Sequence, residues 1–65
     1  MNNFAKNLKS YRVQKGLTQL QLTKMLKVGV ATVSHWETKQ SEPDINMLIT
    51  LASIFEITLD ELIKE

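Results

Sequence analysis

The chain has 65 residues, no cysteine, a single histidine and a net charge of +1. One domain of that length buries only about 60% of the surface its unfolded form exposes, and the lack of cysteine excludes disulfides and thiolate metal sites and fits a reducing compartment. No apolar run approaches the roughly 20 residues that span a bilayer, and MNNFAKNLKS lacks a signal-peptide core, so a cytoplasmic protein without membrane, metal or cofactor is expected.

The first element follows from Phe4, Leu8 and Tyr11, spaced i, i+4, i+7 along one helix face with Arg12 beside them. Gly16 comes where a helix end usually needs a left-handed residue. Thr18 and Gln21 form a capping box, T-Q-L-Q, that opens a second short helix with Leu22 and Leu26 on its buried face. The turn Lys27-Val28-Gly29 leads to a third helix, with Gly29 as its cap. In it Val33 and Trp36 lie three apart and point inward together.

TKQSEPD is polar, holds the only proline and reads as a loop. Asp44 caps the fourth helix, whose apolar face is Ile45, Leu48, Leu51, Ala52 and Phe55. A second capping box, T-L-D-E, joins Thr58 to Glu61 and opens a last helix with Leu59, Leu62 and Ile63 apolar. Nothing alternates with period two over a useful length. The fold class is all-α, five short helices in one domain of residues 1–65.

The near-zero net charge conceals an asymmetry. Residues 1–36 carry six bases (Lys6, Lys9, Arg12, Lys15, Lys24 and Lys27) and no acid; residues 37–65 carry seven acids against Lys39 and Lys64. The first part stands at +6 and the second at −5. Such a split suggests one half facing a polyanion, the alternative being a merely solvated basic surface.

Helices two and three, joined by about three residues, make a helix-turn-helix arrangement. Around it stand R-V-Q-K-G-L-T-Q at 12–19, V-x-x-x-T-V-S-H-W-E at 28–37, S-E-P-D at 41–44 and I-T-L-D-E-L at 57–62. On these motifs, which cover nearly the whole chain, the sequence resembles the phage repressor and Cro-like (XRE) family of helix-turn-helix DNA-binding domains. The resemblance implies a compact, five-helix, lambda-repressor-like bundle. It also implies a transcriptional regulator, a repressor foremost, that lays residues 30–37 in the major groove and binds an inverted repeat as a homodimer. Leu22, Leu26, Val28, Val33 and Trp36 take the positions that lock the two helices together. Two residues depart from the family pattern: Thr23 stands where alanine is usual, and Lys27 where glycine is. A non-glycine residue at 27, in a turn that needs positive φ, is expected to cost of order 1 kcal/mol.

The same resemblance assigns the contacts. Thr18 and Gln19 lie at the start of helix two, where free backbone N–H groups and a positive dipole end favour a phosphate. Ser34, nearer the edge of the third helix, and the loop Thr38-Lys39-Gln40 are expected on the DNA backbone as well. Base reading falls to Val30, Ala31, Thr32 and His35. Valine, alanine and the threonine methyl suit thymine methyl groups, which predicts an A·T-rich site read partly through DNA shape. The alternative is a weakly specific binder, because no arginine, asparagine or glutamine stands in the first turn. Arg12 and Glu37 are implied to pair, either orienting the binding face or simply satisfying a partly buried charge.

Ile57, Leu59, Leu62 and Ile63 are more apolar residues than one short helix needs, and are expected to form the dimer seam. Val13, Leu20 and Met25 are apolar where the family tends to be polar and suggest a second contact patch. They favour the alternative class, an antitoxin-type module that binds a protein partner with the same fold. An enzyme is not expected: paired carboxylates in a cleft, a Ser–His–Asp pattern and a glycine-rich phosphate loop are all missing.

Overall fold

The computed structural model describes residues 3–65; Met1 and Asn2, which complete the expected domain, lie outside them. All regular structure among the described residues is helical: α1 (Phe4–Gln14), α2 (Gln19–Leu26), α3 (Thr32–Glu37), α4 (Ile45–Phe55) and α5 (Leu59–Ile63). None is long and apolar enough to cross a membrane.

Three helix starts are anchored by side-chain caps, and all three were expected. The Thr18 hydroxyl accepts from Gln21 N at 3.0 Å, while the Gln21 carboxamide oxygen accepts from Thr18 N at 2.8 Å. Thr58 and Glu61 repeat this reciprocal pair at 3.0 and 2.9 Å. Asp44 accepts from Met47 N at 2.9 Å. The start of α1 has no side-chain cap; the Asn3 carbonyl takes Asn7 N at 2.8 Å, the ordinary first bond of a helix.

The third helix departs from expectation. It begins at Thr32 with Ala31 in the cap position, and neither Ala31 nor Gly29 offers a capping side chain. Val30 and Ala31 therefore belong to the turn before α3, closed by Thr32 N donating to the Gly29 carbonyl at 3.0 Å.

Four helices end in one motif, the paired 5→2 and 6→1 bonds around a left-handed residue. After α1 that residue is Gly16 (φ 75°); after α2, α3 and α4 it is Lys27 (59°), Lys39 (65°) and Glu56 (58°). At α3, for example, Lys39 N donates to Trp36 O at 3.3 Å and Gln40 N to His35 O at 2.8 Å. The left-handed Lys27 was expected, whereas Lys39 and Glu56 were not.

One core joins all five helices: Phe4 and Leu8 from α1, Leu22 from α2, Val33 and Trp36 from α3, Leu48, Leu51, Ala52 and Phe55 from α4, and Leu62 from α5. Tyr11 stacks on Phe55 at 6.1 Å between ring centroids, so α1 grips α4. Asn7 Nδ2 donates to the Leu62 and Lys64 carbonyls at 3.1 and 2.6 Å, fastening the end of α5 to α1. Ile45, expected on the buried face of α4, is 56% exposed because it is the first residue of the helix, at the edge of the stripe.

Candidate nucleic-acid interface

The geometry of the bihelical unit is set from within. Leu22 and Thr23 of α2 are buried, as are Val33 and Trp36 of α3. Thr23 fits where the helices approach because its hydroxyl donates to the Gln19 carbonyl at 2.7 Å, so no polar atom is stranded. Lys27 then turns the chain in the left-handed conformation.

Arg12 and Glu37 form a buried ion pair, their side chains 11% and 4% exposed. Arg12 Nε donates to Glu37 Oε2 at 2.7 Å and Nη2 to Oε1 at 3.3 Å, while Nη1 donates to the Leu17 carbonyl at 2.7 Å. Glu37 Oε1 also accepts from Gln19 Nε2 at 3.0 Å. One carboxylate thus ties α1, α2 and α3 together. Among the described residues no buried side-chain polar atom lacks a partner.

Around this anchor the expected contact residues separate by exposure. Val30 is 76% exposed, the most open of the large apolar side chains among the described residues, and Ala31 and His35 are exposed as well. Thr32 and Ser34 are half-buried. Thr18 is exposed, but its hydroxyl already serves the helix cap. After α3, Thr38 Oγ1 donates to Ser34 O at 2.9 Å and accepts from Gln40 Nε2 at 3.0 Å. That loop is folded on itself, and the exposed Lys39 stands on its left-handed corner. Gln19 is half-buried, its amide held by Glu37 (a partner that sequence reasoning missed, since 18 residues separate the two).

One sequence expectation changes and another narrows. Leu62 is 0% exposed and sits at the centre of the core, because the inward face of a helix as short as α5 must seal the domain. It has no surface to offer a second subunit; Ile57, Leu59 and Ile63 are half-buried and keep some. Val13, Leu20 and Met25 are all exposed, but Leu20 and Met25 are five residues apart, about 140° around α2. Those two do not share one face of that helix.

The basic residues Lys6, Lys9, Lys15, Lys24 and Lys27 are exposed. Lys15 pairs with Glu56 at 2.9 Å, and this bond and the nearby charge hold the Glu56 carboxyl below its ordinary range. Because Arg12 and Glu37 neutralise each other internally, the surface keeps the charge division read from the sequence.

A short capped helix, a left-handed turn and a second helix locked by Val33 and Trp36 define a helix-turn-helix unit. The chain belongs to the helix-turn-helix family, whose profile matches residues 8–62, as its motifs implied. It is 35% identical over 61 residues to the HTH-type transcriptional activator BcrR of Enterococcus faecalis, covering 94% of this chain and 30% of that protein. It is 36% identical over 61 residues to the uncharacterized HTH-type transcriptional regulator YqaE of Bacillus subtilis, covering 94% and 53%. Among solved structures it resembles a transcriptional regulator from Listeria innocua, with a TM-score of 0.88 and 35% identity over 95% of this chain and 58% of that one. The chain therefore spans between about a third and somewhat over half of these relatives.

Proposed function

We propose that this domain regulates transcription by binding double-stranded DNA, with α3 in the major groove. The observation that carries the reading is the outer face of α3 and its preceding turn. Val33 and Trp36 lock the helix to the core while Val30, Ala31, Thr32 and His35 remain as the side chains available to a groove. The helix-turn-helix family membership supports it, as do relatives named transcriptional regulators. Methyl-bearing readers favour an A·T-rich site through contact with thymine methyl groups. Thr18, Gln19, Ser34, Thr38, Lys39 and Gln40 would lie along the phosphates on either side. Affinity would come largely from counterion release. A DNA target places the protein in the cytoplasm with the genome.

We assign two copies to an inverted repeat, with half-sites about 34 Å apart and the seam at Ile57, Leu59 and Ile63. Leu59→Asp should leave a folded monomer by sedimentation; a persisting dimer would move the seam elsewhere. Repression, by covering a site that polymerase needs, is the sign we propose. A reporter that rises with the protein would reverse it.

The decisive experiment is selection of bound duplexes from a random pool at physiological salt, followed by sequencing. Enrichment of an A·T-leaning inverted repeat is the expected result; binding without enrichment would leave a general DNA binder. A protein partner is the second reading, favoured by Ile45 and Ile49, exposed one turn apart on α4. Stoichiometric co-purification of another chain at native expression would establish it.

A further inference from the structure

Glu37 has one more partner than its ion pair with Arg12 requires. Its Oε1 is shared between the guanidinium and the amide nitrogen of Gln19, the first residue of α2. A carboxylate oxygen repels an amide oxygen, so this contact admits only one orientation of the Gln19 amide: nitrogen inward. Arg12 holds both oxygens of Glu37 and also the Leu17 carbonyl, the peptide that leads into the α2 cap. The start of α2 is therefore held at two points by one buried cluster, through its backbone at Leu17 and through its side chain at Gln19.

We propose that Glu37 is a positioning residue for DNA binding. It fixes the Gln19 amide so that the second N–H on the same nitrogen is presented as a donor to a backbone phosphate. This rests on the DNA-binding function proposed above. An unrestrained glutamine on a helix start loses rotamer freedom on binding; one already held by a carboxylate has lost much of it beforehand. The last residue of α3 thus sets a contact made from α2, and the reading helix and the phosphate grip move as one body. The geometry gives the buried pair a part in binding that satisfying a charge alone would not.

A double-mutant cycle tests this. Affinity for a fixed duplex is measured for the wild type, Gln19→Ala, Glu37→Gln and the double variant, each confirmed folded by circular dichroism. Gln19→Ala is expected to weaken binding about tenfold, the worth of one hydrogen bond to a charged group, and Glu37→Gln by less, about two- to fivefold, the rotamer freedom that the carboxylate no longer removes in advance. The double variant should bind no worse than Gln19→Ala alone, because without the amide Glu37 has nothing to position. Losses that multiply would overturn the inference while leaving the proposed function intact; no binding by the wild type at low salt would overturn both. If Glu37→Gln fails to fold, the Gln19 side-chain amide of the wild-type protein is followed by NMR. One slowly exchanging, downfield proton in the free protein, with the other shifting when a short duplex is added, is the expected result. Two protons with the averaged behaviour of an exposed glutamine would overturn it.

Discussion

The two helices of the bihelical unit begin in opposite ways. α2 opens on a complete capping box, two of its backbone groups satisfied by Thr18 and Gln21. α3 opens on Ala31, whose backbone is already helical (φ −93°, ψ −2°) and whose side chain caps nothing. Isolated helices of eight and six residues are both far too short to persist in water. Local chemistry helps the first, whereas the second depends on Val33 and Trp36 in the core, the ion pair of Glu37 and the bonded turn that follows it. The lesson is that the helix assigned to reading DNA is held from its inner side and its far end. Its leading edge is left free of side chains engaged in holding the fold.

This comparison can be broken in order of decreasing effect. Trp36→Ala removes the main inner anchor of α3 and should cost about 3–5 kcal/mol, seen as a large fall in Tm or outright unfolding. A loss near 1 kcal/mol would mean that α3 stands without its core contacts. Arg12→Ala leaves Glu37 buried without its ion partner and should cost a similar 3–5 kcal/mol, measured by urea titration. Thr18→Ala, which opens the α2 box, should cost about 1 kcal/mol. Ala31→Ser should shift stability by less than about 0.5 kcal/mol, because a capping residue needs extended backbone and Ala31 is helical there. A gain near 1 kcal/mol would show that the α3 start can be capped after all.

The smallest effect separates the two capping boxes. The α2 box uses neutral Gln21, the α5 box ionised Glu61. The Thr58 backbone N–H and then its hydroxyl hold the Glu61 carboxyl below its ordinary 4.5. A carboxyl lowered in the folded state stabilises the fold above its unfolded pKa, and that contribution is lost as pH falls through the folded value. Melting followed downward from pH 5 should therefore show Glu61→Gln losing less stability with acid than the wild type. Parallel curves would remove the α5 box from the acid response.

Most of the fold was legible because its determinants are local. Thr18, Asp44, Thr58 and Gly16 act within a few residues of themselves, and the family motifs extended them to the helix-turn-helix arrangement. The left-handed Lys39 and Glu56 escaped notice because neither residue type advertises positive φ and, unlike at Lys27, no family pattern marked their turns. Ile45 and Leu62 were misplaced for another reason: periodicity ranks the faces of a helix but does not say how far the rest of the chain reaches over them. In the candidate site, Val30, Ala31 and His35 are exposed, on the outward face that the family resemblance implied. The Gln19–Glu37 bond does not follow from spacing, since it exists only once α2 and α3 are packed.

The three left-handed side-chain residues reverse a familiar rule of protein engineering. Replacing glycine usually stabilises a chain by restricting its unfolded state. At Lys27, Lys39 and Glu56 the folded state bears a steric penalty of about 1–2 kcal/mol that glycine would not. Here the stabilising direction runs toward the smallest residue, and a consensus drift to glycine at these turns would make the domain more robust while stripping lysines from both flanks of α3.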